Sequence, residues 1–385
     1  MTDPREVHFS SLVIDGHADT AQRFVDEGWS FTDPIGDGML SLDAARAGGL
    51  NAEFFAIWAE PREWQGRYAY RTLQLIDGVL EQVRKHPDVL ALGLRADDIE
   101  AAHAAGKFCA LMGIEGGHSI ENDLGLLRTF YRLGIRYMTL TWSNTNEWAD
   151  SSGDLNNPNV SHHGGLTDFG RDVVREMNRL GMMVDVSHVA DTTFWDVLRT
   201  TRAPVLVSHS SARALASHPR NLTDEQLQAV ATSNGIVMVN FYPSFLSDDW
   251  LHDWSATSAE RDTLYEQAAQ PYRDRNEPVP YSVSMTVDRE FYTQTFSKHT
   301  LLPDIETLID HFDHVARVAG IDHIGIGSDF DGFSMGPRGL ETAAQLPAIT
   351  ERLMARGYTS EQMHKLLGGN FLRVMRAVEI EAESE

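Results

Sequence analysis

The stretch IDGHADT at residues 14–20 places His17 and Asp19 two positions apart, just past an apolar run. An imidazole beside a carboxylate is a ligand pair for a divalent metal, and equally an ordinary loop or cap pair. Further residues of the same chemistry close other apolar runs: Glu115 in GIEGG, His188 in VDVSH, His209 in VLVSHS, and Asp329 with Asp331 in GSDFDG. Each has a plain alternative when taken alone, since a histidine at a strand end is commonly a hydrogen-bonded core residue and Glu115 would serve as a helix cap. Taken together, three imidazoles and at least three carboxylates suit zinc or another divalent first-row ion. The set is larger than one tetrahedral ion needs. Two ions sharing one carboxylate use it more economically, with Glu115 as the bridge, and a water held between two cations is acidified for attack on a carbonyl.

These residues need elements that bring them to one place. Eight short apolar runs recur along the chain, at 11–17, 50–58, 108–116, 135–142, 182–188, 204–210, 236–242 and 323–330. Most are continuous rather than alternating, as parallel strands covered on both faces should be. Helical patterns separate them, including AYRTLQLIDGVLEQVRKH, DFGRDVVREMNRLG and IETLIDHFDHVARVAG, and several open after Thr or Asp and close at Gly. The alternation predicts a (β/α)8 TIM barrel, with a doubly wound open sheet as its rival. In a barrel the active residues sit at the carboxyl ends of the strands, where all of the residues above fall. Residues 243–303 break the pattern, being polar, aromatic-rich and too long for an ordinary loop. We read them as a partly helical excursion between strands seven and eight, acting as a lid, a homodimer contact or a surface decoration, within a single domain spanning 1–385.

Composition narrows the partners. With 56 acidic against 32 basic residues the formal charge is −24, which repels nucleic acid and anionic membrane surfaces. The one cysteine, Cys109, lies in an apolar run and excludes a disulfide framework within the chain. No stretch reaches transmembrane length without charges and the N-terminus has no apolar leader, so the expected location is cytoplasmic. Neither EGG nor GIGSDFDG carries the spacing or the lysine of a nucleotide-binding loop.

IDGHADT, GIEGGHSI, LTWSNTNEWAD, VDVSHV, VLVSHSSARAL, HPRNL and GIGSDFDG occur in this order over residues 14–332. In combination they resemble the renal (membrane) dipeptidase family of binuclear zinc peptidases, a branch of the amidohydrolase-like metal-dependent hydrolases. The resemblance implies two Zn2+ ions per chain, the first held by His17 and Asp19, the second completed by His188 and His209, with Glu115 bridging. It also implies that Asp329 handles the proton beside a metal-bridging hydroxide, and that Arg220 receives the substrate carboxylate through its planar fork of donors. Where the renal enzyme carries a histidine after strand four, this chain has Trp142, whose indole donates one hydrogen bond and cannot bind metal. That change bears on substrate range, and Asn144 or Asn146 is a candidate replacement donor. Tyr242 and Phe245, after strand seven, are candidates for the substrate pocket, and His218 for a place beside Arg220. His118, His162 and His163 read as loop residues, and Asp331 as shaping the turn after Asp329.

The activity implied is hydrolysis of L-L and L-D dipeptides with a free C-terminal carboxylate. Hydrolysis of N-acyl amino acids or other small amides at the same site is the alternative, and a non-catalytic binding barrel is a third reading that the full ligand set opposes.

Overall fold

Among the described residues, nine parallel strands form one sheet: β1 (Val13–Ala18), β2 (Leu50–Trp58), β3 (Leu90–Leu92), β4 (Phe108–Glu115), β5 (Ile135–Thr139), β6 (Met183–Asp185), β7 (Leu206–Val207), β8 (Ile236–Val239) and β9 (Ile324–Ile326). The computed structural model describes residues 3–298 and 300–382, so His299 of the excursion lies outside the described residues. Pairing of β1 with β9 and of β2 with β4 closes eight of the strands into a ring. Helices surround it, giving the (β/α)8 TIM barrel and ruling out the open sheet. The ninth strand, β3, was not among the eight expected runs. Its three residues pair with the first half of β4, while β5 pairs with the second half, so it adds an edge without entering the ring.

The continuous apolar runs conceal a two-sided alternation. Ile14, Phe54, Leu111, Met183, Leu206 and Met238 belong to one buried cluster with Phe371 and Met375 of the C-terminal helix Asn370–Glu381. Val13, Phe55, Ile57, Met112, Ile114, Val184, Val207 and Val237 pack instead in the cluster shared with the surrounding helices. Neither face meets water, so β-branched and aliphatic residues occupy both and no polar alternation appears.

Of the threonine or aspartate expected to cap two of the helices, the threonine does so in both. Thr167 accepts from the Gly170 amide ahead of Asp168–Leu180, and Thr223 forms a reciprocal box with Gln226 ahead of Asp224–Thr232. The excursion between β8 and β9 is more helical than its irregular period suggested, with helices Pro243–Leu246, Asp248–Ala256, Ser258–Asp274 and Tyr281–Gln294. Trp250, Trp254, Phe291, Phe296 and Leu302 give it a small aromatic core of its own, which explains why its apolar spacing does not match a helix lying on the barrel. Cys109 is buried and unpaired, and among the described residues no helix is long and apolar enough to cross a membrane.

Candidate metal centre

The barrel register brings the donor residues to one rim. Glu115 ends β4 level with Trp58 of β2 and Thr139 of β5. The register of β1 slips between Asp15 and Ala18, on the residues that carry His17. His188 follows β6 and Asp329 follows β9, both with φ of 66° in the left-handed region. That conformation costs energy in a non-glycine residue and persists where its surroundings enforce it. Here the Ser152 amide and hydroxyl donate to the His188 carbonyl at 2.8 and 2.9 Å, and the Asp329 amide donates to the His17 carbonyl at 2.9 Å.

Glu115 lies between two sets of donors. Its Oε2 is 3.6 Å from His17 Nε2, which is also 3.6 Å from Asp19 Oδ2. Its Oε1 is 2.9 Å from His188 Nε2 and 3.5 Å from His209 Nε2, with the two imidazole nitrogens 3.0 Å apart. Two donors on one tetrahedral zinc, each about 2.0–2.2 Å from it, lie roughly 3.4 Å apart. The 3.5–3.6 Å separations match that value, and those of 3.6 Å are too long for hydrogen bonds, while the 2.9 and 3.0 Å separations at His188 are shorter; the arrangement suits two cations sharing Glu115 once His188 draws back by a few tenths of an ångström. His17 Nε2 is buried without a hydrogen-bond partner, which a ligand nitrogen should be. His17, Asp19 and Glu115 form one candidate ligand group, and Glu115, His188 and His209 a second. A third combines His17, His209 and Asp329.

Outer hydrogen bonds set the imidazole tautomers. His17 Nδ1 is 2.8 Å from the Tyr137 hydroxyl, which donates to the Gly16 carbonyl. The proton between them therefore sits on Nδ1 and leaves the Nε2 lone pair to face the centre. The Tyr137 ring can lie against β4 because residue 113 is glycine, where a Cβ would come closer than 3.0 Å to it. In the same way His209 Nδ1 meets Ser208 Oγ at 2.7 Å, and Ser208 donates to Asp185 Oδ2 at 2.6 Å. Asp185 also takes the Thr139 hydroxyl and the Ser187 and Ser208 amides. Tyr137, Asp185 and Ser208 are not among the residues expected from the sequence: Asp185 lies in VDVSHV and Ser208 in VLVSHSSARAL, but nothing local marks the role of any of the three.

The electrostatics describe a centre made for positive charge. Burial works against a charged His17, yet Tyr137 and the Glu115 carboxylate outweigh it and hold its proton well above the ordinary range. Burial also works against Glu115 ionisation, and is overcome by His17 and the three imidazole contacts, which hold that carboxyl well below its usual value. Burial, followed by the neighbouring Glu115, pushes Asp19 up to about 6. Burial also pushes Asp329 up to about 7, with His17 opposing and Asp19 and Glu115 adding to it. His188 and His209 are pushed down by burial, His188 to about 3, so both stay neutral and free to ligate.

A cavity of about 280 Å³ opens over these groups. Trp142, Arg220, Tyr242, Phe245 and Asp329 line it, joined by Trp58 and Tyr281, which the sequence reading did not single out. Trp58 ends β2 and was open to the same strand-end reasoning; Tyr281 lies in the excursion, where no local signal pointed inward. Asp329 Oδ2 accepts from Asn240 Nδ2 at 2.9 Å, another residue not anticipated. Arg220 is 6% exposed, with Nη1 on Ser210 Oγ, Nη2 on the His209 carbonyl and Nε without a partner. It forms no ion pair with a carboxylate among the described residues. Burial lowers it to about 10, so it keeps its charge at neutral pH, a buried cation suited to an arriving anion. His218 lies beside it, its Nδ1 accepting from the Arg220 amide, and is pushed down to about 3 by burial and then by Arg220.

Some expected roles shift. Asn144 is half-buried and outside this lining, and Asn146 uses its side chain on the Leu140 carbonyl and the Trp148 and Ala149 amides. The replacement donor expected of Asn144 or Asn146 is therefore not found in the cavity, because the loop needs Asn146 for its own backbone. Asp331 does more than shape a turn: it accepts from the Thr20 hydroxyl and the Met39 amide at 2.6 Å each, tying three loops together. His118 holds the Ala59 carbonyl and His163 the Asn146 carbonyl, as loop residues should.

The model of the membrane dipeptidase family, peptidase family M19, matches residues 1–385. Dipeptidase 3 of Rattus norvegicus is 35% identical over 343 residues, which are 89% of this chain and 59% of the relative. Dipeptidase 3 of Mus musculus is 34% identical over the same length, 89% of this chain and 58% of its own. The chain thus spans less than two thirds of these relatives. Among solved structures, the probable dipeptidase PvdM from Pseudomonas aeruginosa superposes with a TM-score of 0.82 at 26% identity, covering 98% of both chains. A metallopeptidase from Rhodobacter sphaeroides, liganded with a phosphinate mimic of the dipeptide L-Ala-D-Ala, has a TM-score of 0.74 at 27% identity, covering 96% of this chain and 99% of its own.

Proposed function

Because this chain belongs to the membrane dipeptidase family, peptidase family M19, we propose that it hydrolyses dipeptides bearing a free C-terminal carboxylate, of L-L and L-D configuration, at a binuclear zinc centre. The observation that carries the reading is the division of Glu115, one oxygen toward His17 and Asp19 and the other toward His188 and His209. In this reading His17 and Asp19 hold one ion, His188 and His209 the other, and Glu115 bridges them. Bound there, divalent cations polarise the scissile carbonyl and lower the pKa of water.

The chain's own residues do the rest. Arg220 takes the substrate carboxylate on its unpartnered edge, which compensates a buried charge and selects molecules with an acid at that distance. Asp329 takes the proton of the attacking water and delivers it to the leaving amine. Asn240 holds Oδ2, so the exchange falls to Oδ1, which faces His17 Nε2 at 4.0 Å. Tyr137 and Ser208 keep the imidazoles in the ligating tautomer. Trp142 and Tyr242 bound the substrate without charge. The L-Ala-D-Ala mimic in the Rhodobacter sphaeroides relative supports acceptance of a D-residue on the carboxyl side.

An N-acyl amino acid offers the same carboxylate to Arg220, and one panel separates the two readings. Zinc-loaded and chelated protein are assayed on L-L, L-D and D-L dipeptides beside N-acyl amino acids. Turnover of L-L and L-D dipeptides, abolished by chelation, is the expected outcome. Arg220→Met should lower kcat/KM on free dipeptides by about 10²-fold, the cost of a charged hydrogen-bonded contact, and leave dipeptide amides unaffected. Equal turnover of free dipeptides by that variant would remove Arg220 from the pose.

A single domain over 1–385, a cytoplasmic location and a homodimer belong to the same proposal. One closed barrel supports the first. Sedimentation of the purified chain tests the third.

A further inference from the structure

Three cavities meet at one side chain. The 280 Å³ cavity over the metal centre, a second of about 350 Å³ and a third of about 490 Å³ all have Tyr281 in their walls. Among the described residues, the second shares with the first only Trp58, Trp142 and Tyr281, and the third shares with it only Asp19 and Tyr281. The three rings form a continuous partition, with Trp58 to Trp142 centroids 4.8 Å apart and Trp58 to Tyr281 centroids 5.3 Å apart.

The position of the partition gives it a meaning. Around the closed ring, β2 with Trp58 and β7, whose following loop carries Arg220, lie four strands apart in either direction, so the partition stands across the barrel mouth from the buried guanidinium. On the dipeptidase reading, a peptide held by its terminal carboxylate at Arg220 would run over the centre and end against these rings. Tyr281 starts the helix Tyr281–Gln294 and is pinned there. Its hydroxyl donates to the Gly332 carbonyl at 2.7 Å, and Arg289 of the same helix pairs with Asp37 on the rim at 3.3 Å. Gly332 in turn sits against Asp329 and Asp19, too close to admit a Cβ.

We propose that Tyr281 is the specificity-determining residue that limits the substrate to two residues: its ring, supplied by the excursion, closes the site where a third residue would otherwise continue into the neighbouring cavities. This inference rests on the dipeptidase reading. It gives the excursion a function that neither its charge nor its helical period displays, and it makes length selection a matter of exclusion rather than attraction.

The test uses the full-length zinc-loaded protein with L-Ala-L-Phe and L-Leu-L-Ala-L-Phe, scoring cleavage of the bond beside the C-terminal residue by the first products, free phenylalanine with Leu-Ala rather than free leucine with Ala-Phe. Wild type should cleave the dipeptide and leave the tripeptide nearly untouched. Tyr281→Ala should raise the tripeptide-to-dipeptide ratio of kcat/KM at least about tenfold, and Tyr281→Phe, which keeps the ring, should leave that ratio within about threefold of wild type. An unchanged ratio in an active Tyr281→Ala protein overturns the proposal. Should that variant lose both activities, Trp58→Ala opens the same partition from the barrel side, and an unchanged ratio there overturns it instead. A wild type inactive on every dipeptide would overturn the functional reading beneath it, which is visible before any variant is made.

Discussion

At the scale of single residues, the centre separates holding a cation from moving a proton. Five side chains face inward with lone pairs or negative charge, and Asp329 stands beside them at a pKa pushed up to about 7 by burial and then by its carboxylate neighbours, against the pull of His17. Two cations nearby would favour its ionised form, which is the form a base requires. Asp329→Asn should therefore lower kcat by about 10²–10⁴-fold while the protein still binds two zinc ions by elemental analysis. Loss of one ion from that variant would make Asp329 a ligand instead. Tyr137 acts through His17: Tyr137→Phe leaves the Nδ1 proton without an acceptor, and zinc affinity at the His17 side should fall about 10–100-fold. Competition against a chromogenic chelator measures it, and an unchanged affinity would show that the tautomer needs no such support.

At the scale of elements, the strand ends supply the donors, but the loops beyond them decide whether the donors converge. The SDFDG turn is the sharpest case. Asp329 and Asp331 both take left-handed φ values, of 66° and 63°, and a Cβ on Gly332 would come closer than 3.0 Å to carboxylate oxygens of both Asp329 and Asp19. Glycine is what allows two acidic side chains and a backbone to share that space. Gly332→Ala should push Asp19 off the centre, reducing bound zinc to about one ion per chain and abolishing turnover, with the fold retained by circular dichroism. Two ions and normal turnover in that variant would mean that the carboxylates relax around a methyl group at little cost. The excursion belongs to this scale too, since its aromatic core lets it carry Tyr281 to the rim without help from the main barrel core.

At the scale of the whole molecule, the buried charges make stability depend on pH and metal together. Asp329 has a raised folded pKa, so the folded chain binds its proton more tightly than the unfolded chain does; the stability it contributes is present at low pH and lost as pH rises through about 7. His17, raised well above its ordinary value, has the same sign. His188 and His209 are depressed and act oppositely, but most of their contribution is in place by about pH 6.5, the ordinary histidine value, and the remainder by about pH 7.5, so they offset only part of the loss above it. Between pH 6.5 and 8 the metal-free protein should thus lose on the order of 1 kcal/mol. Zinc displaces these protons, so its stabilisation grows over the same interval. Thermal unfolding with and without zinc should show a gap in Tm that widens from pH 6.5 to 8, and a constant or narrowing gap would contradict this account.

Much of the candidate centre was legible in the sequence because the strand-end rule is local. Apolar runs covered on both faces announce parallel strands, and the polar residue ending each run, whether His17, Glu115, His188, His209 or Asp329, carries its chemistry with it; threonine caps at Thr167 and Thr223 are read just as locally. What only the tertiary structure decided lies between residues distant along the chain. The Tyr137 hydroxyl meets His17 across 120 positions, Asp185 reaches His209 through Ser208, and the division of Glu115 between two donor pairs depends on the register that closes β4 against β2 and β5. Asn146 was lost as a donor to its own loop, and Tyr281 came from a segment whose helices pack on one another and so show no barrel-facing period. Residue type and position relative to a strand end are properties of a short stretch, whereas the direction of a lone pair and the wall of a cavity depend on which separate stretches the closed barrel packs together.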